Sequence, residues 1–524
     1  MYNLHTTNLF EKKKLLLTIA IGALLLFYIV SYSYVFYTYP YQAGGDALFH
    51  AWFSEQVSVT GSPPKTMPTS DTLGLYSFTP LFHITTSSFA LITGLSITDT
   101  ITLLNIVLIV CFILLLYSIA KLILKNSIGA LLSVLIVFVI NAQFSLFYFL
   151  PRNLSILFFL LALYILILAF TKNSIRLSQY VLIGLFTGSL LFTHLLNAAY
   201  AITILSTICL ILYLFSDKKK VSLALLISII VATLLFGLIN VSALLGQTFP
   251  IDSSDPSFVI KASTDTSSVV VPSLTSYIPL LFLVLFIIGI ISLYRTTKVS
   301  NTTFKFYIVI TWIIISFLIL YQIAGGYDYL ASRALTLLLP IFAIVAAWGL
   351  VVLMQYLIRK NKTLTFIVPL IIILLTLFPL TKQSLSGKSQ QIKYGLTHEH
   401  IQTIESIKDT LPSGTILSDP TTMYLLTTLG NMSPAYQFEH TNLTRQRFIR
   451  WNNVQQLFMQ STEDSELLIS ELNPDYIVIS SNTKKLFPNA DYSMYEQEQF
   501  TKVFTSNLTA STSDPEYVFY ELVQ

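Results

Sequence analysis

Long apolar runs separated by short polar segments fill the chain from residue 15 to residue 380, and then stop. About 20 helical residues are needed to traverse the hydrocarbon of a bilayer. Runs of that order fall at 15–37, 100–120, 127–150, 153–171, 178–193, 195–216, 221–244, 277–294, 306–324, 334–358 and 363–380, which predicts eleven transmembrane helices. A further run, 79–95, is short, opens with Pro80 and carries His83, Thr85, Thr86, Ser87 and Ser88. It reads as an interfacial or re-entrant helix that does not cross. Beyond Lys382 the pattern changes. Residues 398–411 have a helical pattern, 415–418 and 476–479 are short apolar runs of the buried-strand kind, and 517–522 forms a last strand. The pattern therefore predicts a polytopic α-helical membrane domain, 1–380, followed by a soluble α/β domain, 381–524, long enough for its own core.

Composition agrees with this division. The 524 residues are 54% hydrophobic and only 11% charged, with a mean hydropathy of +0.71, whereas a soluble domain carries about 25% charged residues. Charge then sets the sides. If 79–95 does not cross, sixteen Lys and Arg residues lie in cytoplasmic segments and four, Lys65, Arg152, Lys261 and Arg333, in outer loops. If it crosses, every later loop flips and the division becomes six inside and fourteen outside. The positive-inside rule selects the first topology. The N-terminus is then cytoplasmic, ahead of a retained first helix, and the tail is extracytoplasmic. The expected location is a plasma membrane crossed many times. Acids cluster on the outer side: Asp46, Glu55, Asp71, Asp99, Asp252, Asp255, Asp265 and Asp328 face out, and only Glu11 and Asp217 face in.

Several chemistries are disfavoured. No Gly-x-x-x-x-Gly-Lys-Ser/Thr phosphate loop is present, so ATP-driven pumping is not expected. The two cysteines, Cys111 and Cys209, sit inside apolar runs and supply neither a disulfide framework nor a cysteine metal site. His398 and His400 are two apart, on different faces of a helix, and make a poor zinc pair. A net charge of +4 gives no reason to expect nucleic acid.

The candidate chemistry lies in the long outer loop, 38–99. Gly44-Gly45 supplies a turn and Asp46 opens a helix reaching Val57, with His50 four residues on and so on the same face. Phe49, Trp52, Phe53 and Val57 give that helix an apolar side. An aspartate at a helix start also serves as an N-cap, and local sequence leaves both roles open. Arg152 follows Pro151 between two spans, and Arg333 stands at the outer mouth of the span 334–358; snorkelling to headgroups accounts for either one taken singly. His194 sits between two spans with almost no loop, and Asp328 precedes Arg333 in the same outer segment. Asp252 and Asp255 are compatible with a divalent cation, the one cofactor to consider, but Pro250-Ile251-Asp252-Ser253-Ser254-Asp255-Pro256 reads more simply as a turn. Arg445, Arg447 and Arg450 form a basic stripe on an expected helix of the tail.

The order of these features resembles the GT-C superfamily of polytopic glycosyltransferases, which use polyprenyl-phosphate-linked sugars. The shared elements are one N-terminal helix, a long outer loop with an acid near its start, Gly61-Ser62-Pro63, and a Pro80-Leu81-Phe82-His83 helix closing on Thr93-Gly94-Leu95-Ser96. The likeness covers roughly residues 15–380. It implies Asp46 as catalytic base or acceptor-positioning group, and Arg152 and Arg333 on the lipid-linked phosphate of the donor. His50, His83, His194 and Asp328 are the candidates for holding the acceptor, a glycan or glycolipid. The oligosaccharyltransferase branch carries Trp-Trp-Asp-Tyr-Gly, which is absent here: Trp451 is followed by Asn452-Asn453. Transfer of one hexose or pentose is therefore expected rather than transfer of a whole glycan to asparagine. Two other readings stay open, a transporter or flippase of lipid-linked sugars and a non-catalytic cell-envelope assembly protein.

Overall fold

The computed structural model describes residues 3–41, 45–64, 80–141, 148–171, 176–215, 219–245, 280–295, 328–360, 398–435, 469–470, 472–487, 490, 492, 495, 500–506 and 517–522. They divide into two compact units, one formed by Met1–Phe36 with Leu103–Ile392, the other by Tyr37–Thr102 with Lys393–Gln524.

The first unit is a helical bundle. It contains α1 (Asn3–Thr38), α4 (Ile97–Leu124), α5 (Ser127–Asn141), α6 (Pro151–Thr171), α7 (Leu177–Thr193), α8 (Leu195–Phe215), α9 (Lys219–Leu245), α10 (Leu280–Arg295) and α11 (Asp328–Lys360), the last two residues of α1 and the start of α4 being counted with the second unit. Six described helices are long and apolar enough to cross a membrane: α1, α4, α6, α8, α9 and α11. The protein is thus a multi-pass membrane protein. Helices α5, α7 and α10 are apolar but shorter, and the expected spans 306–324 and 363–380 lie outside the described residues. Within the expected run 127–150, α5 covers Ser127–Asn141, residues 148–150 are not helical, and a new helix opens at Pro151. Proline fixes a helical φ and suits a first helical position, while disfavouring helix in the residue before it.

Lipid is as apolar as leucine, so close packing rather than the hydrophobic effect holds such a bundle together. The closest approach lies between α10 and α11. A Cβ on Gly289 would run into the backbone of Val345, and one on Gly349 into the carbonyl of Leu285. Beside these glycines Phe286 stacks on Phe342, ring centroids 4.8 Å apart. Further round the bundle, Tyr28 and Tyr32 of α1 meet Phe138 of α5 at 5.6 and 5.9 Å.

The second unit joins Tyr37–Thr102 to the tail. Helix α2 (Gly45–Thr60) packs on α3 (Leu81–Thr93). Thirteen residues span about 20 Å at 1.5 Å each, too short to cross. Gly94 ends α3 at φ +70°, its N–H donating to the Ala90 carbonyl, and Ser96 with Asp99 caps the start of α4. In the tail, α12 (His398–Thr410), β1 (Thr415–Leu417), α13 (Pro420–Leu429), β2 (Ser433–Pro434), β3 (Tyr476–Ser480), α14 (Ser481–Leu486), β4 (Phe500–Ser506) and β5 (Tyr517–Leu522) follow in order. The sheet order is β2-β1-β3-β5-β4, parallel over the first three strands and antiparallel from β3 to β4. Every residue of β3 is buried, as a central strand requires. Helix α13 packs on α2, so the tail braces the helix that carries Asp46.

Candidate active site

Helix α2 begins at Gly45, which makes Asp46 its second residue. The backbone there is helical; the Asp46 side chain lies outside the described atoms. One turn on, His50 is buried, and its Nδ1 lies 3.0 Å from Nε2 of His83 on α3. The hairpin is stitched along its length. Ser54 donates to the His50 carbonyl at 2.8 Å, and the Ser87 hydroxyl is shared between the carbonyls of Ser54 and His83. Aromatic rings close round the imidazoles: Phe53 lies 4.1 Å from the His83 ring and Phe82 5.5 Å from that of His50. His83 has no exposed surface, and its Nδ1 has no hydrogen-bond partner among the described residues. Burial, and after it the neighbouring His50, push the His83 imidazole well below its ordinary value. Helix α2 thus has Asp46 in its first turn and, one turn later, a buried imidazole paired with that of His83.

At the far edge of α2, Glu55 meets Lys408 of α12 at 3.2 Å, with both side chains more than a third exposed. An exposed pair of this kind contributes little to stability. Beside it, burial and then the Glu55 charge raise the Glu405 carboxyl, with Lys408 opposing them.

The bundle carries a second polar cluster. Arg152 is the second residue of α6, half-buried. His194 is at once the last residue before α8 and the C-cap of α7, in extended backbone at φ −161°. Its Nδ1 accepts the Asn197 backbone N–H at 3.2 Å, which leaves the ring proton of the neutral form on Nε2. The Asn197 side chain donates to the Arg152 carbonyl at 2.9 Å and to the Ser155 hydroxyl at 2.8 Å. That one amide ties the N-terminal ends of α6 and α8 together. The N-terminal ends of α6 and α8, whose unpaired N–H groups make each the positive end of its helix, are thus held side by side through Asn197. A little further on, the Asn105 side chain of α4 accepts the Phe149 N–H and fixes the turn that leads into α6.

The structure thus joins His50 to His83 directly, and links His194 to the Arg152 backbone carbonyl through Asn197. Arg333 and Asp328 fall in the first two turns of α11 with side chains outside the described atoms. Asp252, Asp255, Arg445, Arg447 and Arg450 also lie outside the described residues. Sequence reasoning missed Asn197, although an amide one turn into an otherwise apolar helix, next to a histidine, is a readable signal.

No protein-family model matches the sequence, and no curated protein does. Solved structures do match. The archaeal oligosaccharyltransferase AglB from Archaeoglobus fulgidus, in complex with an inhibitory peptide and a dolichol-phosphate, superposes with a TM-score of 0.57 at 13% identity, over 95% of this chain and 74% of that one. ArnT from Cupriavidus metallidurans bound to undecaprenyl phosphate gives 0.53 at 12%, over 96% and 97%. The arabinofuranosyltransferase AftD from Mycobacteria gives 0.58 at 14%, over 95% of this chain and 40% of that one. All three are GT-C superfamily membrane glycosyltransferases, and the chain shares their fold.

Proposed function

We propose that the protein is a membrane glycosyltransferase that moves one sugar from a polyprenyl-phosphate donor to a lipid- or protein-linked glycan at the outer membrane face. The observation that carries this reading is the fold likeness over nearly the whole chain to transferases, two of them holding a polyprenyl phosphate. In the proposed reaction an acceptor hydroxyl attacks the anomeric carbon of the donor sugar. The carbon–oxygen bond to phosphate breaks, the hydroxyl proton passes to the Asp46 carboxylate, and polyprenyl phosphate leaves. A sugar phosphate brings its own leaving group, so the protein has two tasks: to take a proton, and to hold charge that grows on phosphate.

Asp46 takes the first task, at the start of a helix braced on two sides. Arg152 takes the second, supported by the positive ends of α6 and α8, with Arg333 assigned by its position at the outer end of α11. His50, His194 and Asp328 remain the groups proposed to line the acceptor path. His83, wholly buried, acts through His50. No residue cluster among those described calls for a metal, and the scheme routes no step through one.

The test is transfer by the purified full chain in liposomes, supplied with radiolabelled polyprenyl-phosphate sugars and a glycolipid extract. Label is expected in the acceptor. Asp46→Asn is expected to lower the rate by about 10²–10⁴, and Arg152→Gln to weaken donor binding more than turnover at saturation. Lipid-linked sugar crossing the bilayer with no covalent transfer would instead establish a flippase. Full activity in Asp46→Asn would remove the proposed base.

A further inference from the structure

The α2–α3 hairpin holds two imidazoles whose proton inventory can be counted. The 3.0 Å bond between His50 Nδ1 and His83 Nε2 contains one proton. A neutral pair has one more, on either His50 Nε2 or His83 Nδ1. The latter atom is buried and has no partner among the described residues. An N–H stranded there forfeits its hydrogen bond to water, and orphaned buried N–H groups are rarer than under-satisfied acceptors. The second proton therefore sits on His50 Nε2, and His83 Nε2–H is the donor in the bridge.

A third proton meets a harder obstacle. The bridge still holds only one, so both outer nitrogens must be filled, and one of them is the stranded His83 Nδ1. Either ring becomes a cation only by placing an N–H in that apolar pocket between Phe53 and His50. The lowered basicity of His83 has the same origin.

The ionisable groups on the described elements packed against the pair can be named. On α2 itself the ionisable neighbours are Asp46, one turn before His50, and Glu55, which is engaged by Lys408. Helix α3 carries no ionisable residue besides His83, and α13 carries only Tyr424. On α12, which also carries His398, Glu399 and His400, Lys408 and Asp409 lie about Glu405, as do Glu55 and Asp99 at the start of α4.

We propose that His83 is a positioning residue that pins His50 in its neutral Nε2–H form, so that His50 offers the Asp46 carboxylate a hydrogen-bond donor and never a neighbouring cation. The inference rests on the reading of Asp46 as the base. An imidazolium one turn away would stabilise the carboxylate and weaken it as a proton acceptor. A neutral N–H orients the carboxylate at a smaller loss of basicity. The spacing of four residues places both groups on one helix face.

The experiment is nitrogen-15 NMR of the full chain, labelled at its seven histidines, in lipid bilayers from pH 8 to pH 5, with His50→Gln to assign the signals. In the wild type, His50 is expected to show a protonated Nε2 and a hydrogen-bonded, unprotonated Nδ1, without titrating near 6.5. In His83→Phe, which keeps an aromatic ring in the aromatic pocket, His50 is expected to titrate near the ordinary value of about 6.5. The acid limb of transferase turnover is expected to move up with it by about one pH unit. His83→Gln retains an amide N–H for His50 Nδ1 and is expected to restore most of the wild-type pH profile.

A wild-type His50 protonated on Nδ1, or titrating near 6.5, overturns the inference. So does a His83→Phe profile that superimposes on the wild type. If His83→Phe does not fold, the wild-type spectrum and His83→Gln decide. The two readings separate cleanly: Asp46→Asn with full activity removes the base and leaves the tautomer result standing, whereas the wrong tautomer removes His83 from the mechanism and leaves Asp46 in it.

Discussion

Asp419 shows how one buried carboxylate can organise a domain. It is fully buried, accepts the Thr422 N–H at 3.1 Å as the N-cap of α13, and accepts the Thr483 hydroxyl at 2.6 Å. Thr483 and Thr422 both bond Ser480, so the segments that follow the parallel strands β1 and β3 share one network. A buried charge is tolerated only when hydrogen bonds replace its water. Asp419→Ala would leave several of these hydroxyls unsatisfied and is expected to cost about 1–3 kcal/mol, read as a lower unfolding midpoint of the tail. The His83 imidazole gives a pH-dependent counterpart. Its folded pKa lies below its unfolded value, so the unfolded chain binds the extra proton, and stability present above about pH 6.5 is lost as pH falls below it. The unfolding temperature is expected to drop between pH 7.5 and 5.5, and to drop less in His83→Phe. At this scale the sequence was only partly readable. The turn from Asp46 to His50 is a matter of spacing on one helix. The meeting of His50 with His83 crosses 33 positions and depends on how α2 lies on α3, which periodicity does not encode. Asp419 has a local sign: Ser418-Asp419-Pro420 directly after a strand is the start signal of a helix, and α13 opens at Pro420, whereas its bond to Thr483 spans 64 positions and leaves none.

Elements were more legible than their ends. Each expected apolar run within the described residues contains a helix, because membrane-length hydrophobicity is a property of composition. Where helices begin and end is decided by proline, as at Pro151, which opens α6, or by capping contacts such as His194, which ends α7 and begins α8 within a single residue. Helix pairing was not visible at all. Gly289 and Gly349 are ordinary residues in apolar runs until α10 and α11 are brought face to face. Replacing Gly349 by Leu is expected to separate that pair and lower the thermal midpoint by several degrees, whereas Gly237→Leu, at a glycine with open space around it, is expected to leave the midpoint within a degree or two. Thermal unfolding in one detergent compares the two directly.

For the molecule as a whole, the alternation of greasy and polar stretches indicates a membrane bundle with a polar tail. That Tyr37–Thr102 belongs to one compact unit with Lys393–Gln524 is a long-range fact, separated by nearly 300 positions and invisible to any local pattern. Its functional consequence follows from the packing of α13 on α2. Removing 393–524 is expected to abolish transfer even with Asp46 intact, and to make the α2 segment newly sensitive to added protease; a truncated chain with undiminished transfer would show the tail to be dispensable. A last consequence comes from α4. Its 28 residues make a rod of about 42 Å, longer than the roughly 30 Å of a bilayer's oily interior. Its first turn lies in the same unit as the imidazole hairpin, three residues beyond the end of α3. Such a rod leans further as the acyl chains around it shorten. The hairpin that presents the acid is hitched to it, so the speed of the chemistry is expected to track the thickness of the surrounding fat.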